Sequence, residues 1–451
     1  MTQQLRFLQL PYSQDEQLLA ALAPLPWPAL LSSGASQHPG RRFSIACADP
    51  LQRLEINRLV DQQQLREQLT AQQHPDSESS KPPLDLPFIS GWLGYFSYDA
   101  GRLFEDLPSL AADDLDLPWV RLGYYRWSLV SDHLHQTTWL SGYFSDELYQ
   151  QLLAAVNSKP TLNSPQFKLL TPFSSNLSKA DYLKRFKQVQ AYLLAGDAYQ
   201  VNLAQRFSAE YQGCLEPVWL KLQQQINAPF AAYLNYGQQQ LLCLSPERFL
   251  QLTANRQVET KPIKGTRPRG LDAASDQALQ QDLLNHPKDR AENLMIVDLL
   301  RNDLGRVCTP GSIQTPDLFT LESYSYVHHL VSRITGELAQ DKNAFDLLQA
   351  SFPGGSITGA PKLRAMQIIE ELEPCRRSVY CGSIGYLDDR GHADFNIAIR
   401  TFIADGKQLH LWGGGGLVAD SVAEEEYTET LHKVAKLIRV LQPDFAKCLG
   451  I

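Results

Sequence analysis

Past residue 178 the strand-like and helix-like segments of this chain come in blocks, and that grouping limits the folds open to it. A helical stretch, "KADYLKRFKQVQAYLLAG", starts behind a good N-cap, Ser178, and closes at Gly196. Strand-like runs follow in series: "AYQVNLAQRFSAEY", "FAAYLNYG", "QLLCLSPERFLQLT" and "QVETKPIKG". Then come helical segments over about 287–305, in "NAFDLLQASF", and in "PKLRAMQIIEELE" with Pro361 in its first turn. Strands return in "VYCGSIGYLD", "DFNIAIRTFIADG" and "QLHLWGGGG", and a last helix spans about 424–441. A doubly wound fold needs strand and helix to alternate one for one. Blocks of strands predict the α+β class with large antiparallel sheets instead.

Before residue 165 the runs "RFSIACADP", "FISGWLGYFSYD", "WVRLGYYRWSLVSD" and "TTWLSGYF" are aromatic and β-branched with Gly and Asp punctuation, again strand-like. The soft segment 157–178 suggests two regions, 1–165 and 166–451, with strands able to interleave between them. Residues 71–87, "AQQHPDSESSKPPLDLP", read as an exposed loop.

The 451 residues carry a net charge of −8 and no basic stripe, which argues against nucleic-acid binding. An anionic substrate would need a local positive pocket or a metal against that average field. No apolar run approaches the roughly 20 residues that span a bilayer. The first residues lack a signal-peptide pattern, and the seven cysteines are scattered with no CxxC pair, so a reducing cytoplasm is expected.

Two helix starts carry paired carboxylates three residues apart: Asp289 with Glu292, and Glu426 with Glu429. The second helix carries Tyr427, Leu431, Val434, Ile438 and Leu441 on one apolar stripe. The plain explanation is a favourable meeting of acid and helix dipole. The functional one is that the two starts converge on a hard divalent cation such as Mg²⁺. "PGGSITGAPK" has P-loop-like glycine spacing, but Ala360-Pro361 stands where Lys-Ser or Lys-Thr is required. A loop of backbone donors entering the Pro361 helix remains open. "WGGGGLVADS" holds four glycines, more than a strand-to-helix turn needs, so close approach to a ligand is the favoured reading.

Taken in order, "TKPIKGTRPRG", "DRAENLMIVDLLRNDLGRVCTPGS", "YVHHLVSRITG", "FPGGSITGAPKLRAMQIIEELEP", "YCGSIGYL", "FNIAIRT" and "GGGGLVADSVAEEEYTET" resemble the chorismate-binding enzymes. The resemblance is dense over about 178–441 and reaches "LLSSGASQHPGRRFSIACADP" and "GWLGYFSYDAGRLFE". It implies two large antiparallel sheets packed as a sandwich with helices outside, and a site in the cleft between the halves. Within the family, anthranilate synthases resemble "PIAGTRPRG", with alanine where Lys264 stands here; the branch that aminates chorismate at C4 carries "PIKGT".

That resemblance implies a set of roles. Lys264 would be the nucleophile, Glu247 in "LSPERFL" the acid–base residue, and His329 would lie near the leaving group. The sequence leaves open whether His328 or His329 faces the site. Glu292 and Glu429 would bind Mg²⁺ directly, Asp289 and Glu426 through water. Gly265, Thr266, Ser356, Tyr380, Arg400, Gly414, Gly416 and Lys433 would line the substrate pocket. A tryptophan-sized pocket would gather Ser33, Gly40, Arg41, Arg42, Phe43, Pro229, Phe230 and Ala231. No glutaminase signature is present, so ammonia should come from a separate glutamine amidotransferase subunit. The expected product is 4-amino-4-deoxychorismate, on the way to 4-aminobenzoate and folate. The alternatives are C2 amination with pyruvate release, as in anthranilate synthase, a water-using isochorismate or salicylate synthase, and a non-catalytic subunit that keeps the fold.

Overall fold

In the computed structural model, which describes residues 4–34, 42–57, 59–60, 62–70, 85–158, 165–324 and 327–445, the strand blocks assemble into two sheets of thirteen and ten strands. Neighbouring strands run antiparallel throughout the larger sheet, which passes from Arg6–Leu10 through Ala29–Ser32 and Phe230–Asn235 to Gln408–Leu417 and Gln200–Gln212. The smaller sheet runs from Ile263–Pro268 and Val327–Glu337 through Arg248–Leu252 and Ser383–Asp388 to Gly91–Phe96 and Gln52–Ile56. Both sheets join early and late strands. Ala29–Ser32 pairs with Phe230–Asn235, and Gly91–Phe96 pairs with Ser383–Asp388.

The sheets form a sandwich. One core lies between them, where Ile45, Leu203 and Cys243 of the larger sheet meet Tyr95, Phe249 and Phe395 of the smaller. A second core covers the outer face of the larger sheet, with Leu18, Leu152, Leu222, Leu431 and Ile438 brought in by helices. The expected helices form: Lys179–Leu194 behind the Ser178 cap, Pro287–Gly305, Ala344–Ser351, Lys362–Leu372 and Ala423–Leu441. Pro361 stands one position earlier than its expected first turn, as the N-cap. No helix is long and apolar enough to cross a membrane, among the described residues. Most of the expected 71–87 loop lies outside the described residues.

Three run boundaries differ from the sequence reading, and each positions the site. "QLLCLSPERFLQLT" is two strands, Gln240–Ser245 in the larger sheet and Arg248–Leu252 in the smaller. Pro246 has no N–H for a ladder, so the chain leaves one sheet there and enters the other, with Glu247 at the crossing. "DFNIAIRTFIADG" splits in the same way into Ala393–Asn396 and Thr401–Ala404, with Arg400 at the crossing in a left-handed conformation, φ 51°. "QVETKPIKG" breaks at Lys261-Pro262 into Gln257–Thr260 and Ile263–Pro268.

Candidate active site

Where the chain crosses between the sheets, side chains from both converge. Glu247 is 6% exposed, and burial pushes its carboxyl above the usual range. The Ser356 hydroxyl, the Lys264 ammonium, the Ile263 N–H and the Arg400 guanidinium partly offset that push. Ser356 Oγ donates to Glu247 Oε1 at 2.8 Å, and Lys264 Nζ donates to the Ser356 carbonyl at 3.3 Å. The spacing from Glu247 to Lys264 would allow one hairpin with the two residues on adjacent strands. The hairpin is real for Arg248–Leu252 and Gln257–Thr260, but after Pro262 the chain continues as a separate strand paired with Val327–Glu337. Lys264 therefore reaches Glu247 through Ser356.

Lys264 is half-buried, and burial lowers its proton affinity. Lys433 adds to that lowering, while Glu292, Glu247 and Glu429 oppose it. A lysine held this way keeps more of its amine neutral than a solvated one.

The two acidic helix starts do meet. Lys288 at the start of Pro287–Gly305 lies 3.7 Å from Glu426 Oε1 at the start of Ala423–Leu441. Glu292 and Glu426 repel each other, and both carboxyls are raised, chiefly by burial. Among the described residues Glu292 makes no ion pair or hydrogen bond, whereas Glu426 accepts from Ser421 Oγ at 2.6 Å. Glu429 goes the other way: burial raises it, but Lys433 at 2.6 Å outweighs that and holds it below the usual range. Asp289 is turned aside to Arg267 at 3.1 Å and His286 at 3.0 Å. Among the described residues no three His, Cys, Asp or Glu side chains are gathered closely enough to hold a metal ion by themselves.

The four glycines are not a turn. Gly413 to Gly416 lie inside strand Gln408–Leu417, paired with Gln205 to Asn202. Alternation gives them two jobs. A Cβ on Gly413 would sit 2.3 Å from the Thr430 carbonyl, and one on Gly415 would sit 3.1 Å from Glu426 Oε2. On the other face, a Cβ on Gly414 would lie 2.9 Å from the Tyr380 hydroxyl, and one on Gly416 would lie 2.8 Å from Gln200 Nε2. Absent side chains thus let the acidic helix start and the Tyr380 ring close on the strand. Lys433 Nζ also donates to the Gly414 carbonyl at 2.9 Å. Tyr380 is buried and stacked on Trp412 at 5.8 Å.

The histidine pair separates by strand alternation. His328 uses both ring nitrogens, on Ser323 and on Asp276. His329 faces Thr266, at 2.9 Å from its hydroxyl, and lies close enough to Arg400 to feel its charge. Burial, then Arg400, lowers the His329 pKa to about 4, so the ring is neutral at neutral pH. The Arg400 guanidinium makes no ion pair or hydrogen bond among the described residues. Gly265 takes φ 83° against Asp289, where a Cβ would lie 3.0 Å from Cγ.

Of the N-terminal group, Gly40 and Arg41 lie outside the described residues. Ser33, Arg42, Phe43, Pro229, Phe230 and Ala231 gather at one end of three neighbouring strands, in which Ser32 pairs with both Ser44 and Ala231. The Ser33 hydroxyl is buried without a hydrogen-bond partner among the described residues, and Arg42 is tied to Asp132 at 2.8 Å.

Lys288, Arg267, Ser421 and Gly415 belong to the site but were not singled out from the sequence. Gly415 was legible, since a strand that turns Gly414 and Gly416 one way must turn Gly415 the other. Nothing local marks Arg267 or Lys288 as partners of the acids.

The profile of the chorismate binding enzyme family matches residues 28–439. The chain is 46% identical to aminodeoxychorismate synthase component 1 of Salmonella typhimurium, over 96% of this chain and 97% of that one. It is 34% identical to anthranilate synthase component 1 of Lactococcus lactis, over 92% and 94%. The solved anthranilate synthase component I from Streptococcus pneumoniae superposes with a TM-score of 0.78 at 30% identity, covering 90% of this chain and 93% of that one. The menaquinone-specific isochorismate synthase of Escherichia coli shares the fold, with a TM-score of 0.74 at 18% identity over 98% and 95%.

Proposed function

The chain belongs to the chorismate binding enzyme family, and we propose that within it the chain works as an aminodeoxychorismate synthase component 1, replacing the C4 hydroxyl of chorismate with an amine. One observation carries this reading: a half-buried lysine amine, Lys264, set beside a buried carboxyl, Glu247, through Ser356.

In this mechanism the Lys264 amine forms a bond to C2 of the ring. The two ring double bonds shift and the C4–O bond breaks. Glu247, held above the usual carboxyl range by burial, gives its proton to the departing hydroxyl, which leaves as water. The nitrogen of the adduct then returns a proton to the carboxylate. Ammonia then adds at C4, the double bonds shift back and the C2–N bond breaks; Glu247 returns its proton to the departing Lys264 nitrogen and takes one from the new C4 ammonium, so the free amine and the acid are both restored. Arg400 and the Tyr380 hydroxyl would bind a substrate carboxylate, and Arg400 suits it as a buried cation whose guanidinium makes no ion pair or hydrogen bond among the described residues. The neutral His329 ring would stand near the leaving group with Thr266. Gly265, Gly414 and Gly416 would let backbone approach the substrate, and Lys433 would steady Glu429.

The acids suit Mg²⁺, which takes hard oxygen ligands and keeps some water rather than needing a full protein cage. Among the described residues Glu292 makes no ion pair, and burial with repulsion from Asp289 and Glu426 raises it despite Lys264 and Lys288 nearby. Glu292 and Glu429 would hold the ion directly, Glu426 and Asp289 through water. When bound, the ion would polarise and orient the substrate's ring carboxylate. Ammonia would come from a separate glutamine amidotransferase subunit in the cytoplasm, and the product would feed 4-aminobenzoate and folate synthesis. The group around Ser33, Arg42, Phe43 and Pro229 to Ala231 would form a tryptophan-sized pocket.

The test is direct. The purified chain is incubated with chorismate, Mg²⁺ and an ammonium salt at mildly alkaline pH, and the product is identified by chromatography and mass. The expected product is 4-amino-4-deoxychorismate, which keeps the enolpyruvyl group. Anthranilate with pyruvate would overturn the reading and make Lys264 a bystander.

A further inference from the structure

The sequence reading placed Ser356 among the residues lining the substrate pocket. Its two polar groups point elsewhere. Oγ donates to Glu247 Oε1 at 2.8 Å, and the carbonyl of the same residue accepts from Lys264 Nζ at 3.3 Å. Lys264 and Glu247 share no direct ion pair among the described residues, so Ser356 is the short route between them. The small cavity beside these groups, lined by Glu247, Thr260, Pro262, Leu300, Ser356 and Ile397, measures ≈ 10 Å³. That is room for about one water and not for a substituent of the substrate.

The turn that carries Ser356, Gly355–Ile357, is clamped on several sides. A Cβ on Gly354 would lie 2.7 Å from Ile397 Cδ1, and one on Gly355 would lie 2.5 Å from Leu299 Cδ2. Thr358 Oγ1 donates to the Gly354 carbonyl at 3.0 Å, and the fully buried Arg377 donates to the Ile357 carbonyl at 3.0 Å. Ser356 cannot drift without moving packed neighbours.

We propose that Ser356 is a positioning residue that couples Glu247 to Lys264, and that its hydroxyl is not a substrate contact. This rests on the reading of Lys264 as nucleophile and Glu247 as acid. The carbonyl takes one N–H of the lysine. A neutral amine has two N–H bonds and one lone pair, so fixing an N–H limits where the lone pair can aim. The hydroxyl takes one oxygen of Glu247, which leaves the other to carry the proton toward the substrate. A single rigid residue thus sets the attacking electron pair and the proton for the leaving group in one frame.

The experiment compares wild type with Ser356→Ala, Ser356→Thr, Glu247→Gln and the Glu247→Gln/Ser356→Ala double variant, at saturating Mg²⁺ and ammonium. Chorismate affinity is read by calorimetry and product formation by single-turnover mass analysis. Ser356→Ala should keep the chorismate Kd within about twofold and lose about 10- to 100-fold in rate, the range for one hydrogen bond to a charged group. Ser356→Thr should recover most of the rate. In the Glu247→Gln background Ser356→Ala should cost nothing further. The limb of the pH–rate profile on which Glu247 ionises should move to higher pH in Ser356→Ala, because the ionised carboxylate loses a donor.

A chorismate Kd raised tenfold or more with the rate kept would make Ser356 a substrate contact and overturn the coupling. An equal loss in both backgrounds, with no recovery by threonine, would make it a packing residue and overturn it too. Wild type that forms no C4-aminated product would overturn the proposed function and this inference together. Wild type that forms it, with Ser356→Ala unimpaired, would overturn only the coupling.

Discussion

The two acidic helix starts look alike in sequence and differ in the folded protein. Each offers a pair of carboxylates three residues apart in its first turns. At the start of Pro287–Gly305, Asp289 is paired with Arg267 and touches His286, while Glu292 makes no ion pair among the described residues and feels Lys264 and Lys288 only through space. At the start of Ala423–Leu441, Glu429 is neutralised by Lys433, and Glu426 is buried against Ser421 with Lys288 reaching across from the other helix. Spacing alone thus says little about a carboxylate. What decides its state is whether the neighbouring elements bring it a cation, and those elements are remote in sequence.

Lys264 feels both starts, through Glu292 of one and Glu429 of the other, so its removal gives the largest effect. Lys264→Ala should lose C4 amination by roughly 10⁴-fold or more, measured as product formed with ammonium supplied. Next, Glu292→Gln and Glu429→Gln should each cost about 10³-fold in kcat/KM, the scale expected for a ligand of a catalytic ion. Equal activity in either variant would break the assignment of one helix start to the metal.

Asp289→Asn and Glu426→Gln should cost less, about 10- to 100-fold, with a matching rise in the Mg²⁺ concentration needed for half-maximal rate. Gly415→Ala sharpens the comparison because its Cβ would press only on the second start, 3.1 Å from Glu426 Oε2. It should behave like Glu426→Gln, and a larger loss would mean that backbone, not carboxylate, is what the glycine protects.

The smallest effect is in stability. Glu292 and Glu426 have raised pKa values in the folded chain, so it binds protons that the unfolded chain has already released. Their contribution is present below the unfolded carboxyl range and is lost as pH rises through the raised folded values. Glu429 is lowered, so its contribution is present above the unfolded range and is lost as pH falls through the folded value. In metal-free protein near pH 7.5, Glu292→Gln and Glu426→Gln should raise Tm by about 1–2 °C and Glu429→Gln should lower it by a similar amount. Added Mg²⁺ should stabilise wild type and erase the gain from Glu292→Gln, as followed by calorimetry.

Much of the scaffold could be read from residues. Ser178 caps its helix because its hydroxyl accepts from Asp181 N at 3.1 Å, a purely local bond. Pro287 and Gly305 bound their helix as composition suggests. The crossings at Glu247 and Arg400 were hidden, since each lies in a run of good strand formers that reads as one strand. Pro246 was a visible cue for the first; Arg400 with its positive φ offered none. The glycine run was legible in outline, as the end of the strand-like "QLHLWGGGG" with room for a close approach. Glycine suits a turn, and only the close packing of Thr430 and Tyr380 on either side explains four of them in a strand.

The sequence by itself determined the blocks of strand and helix, the order of motifs, and the chemical types available at the site. Those follow from local propensity, periodicity and side-chain identity. Only the tertiary structure decided that the two helix starts meet and that Asp289 is drawn to Arg267. It also decided that His329 rather than His328 faces Thr266, and that Ser356 stands between Glu247 and Lys264. Each of these depends on burial and on charges many residues away in the chain, and both are properties of packing rather than of any short stretch.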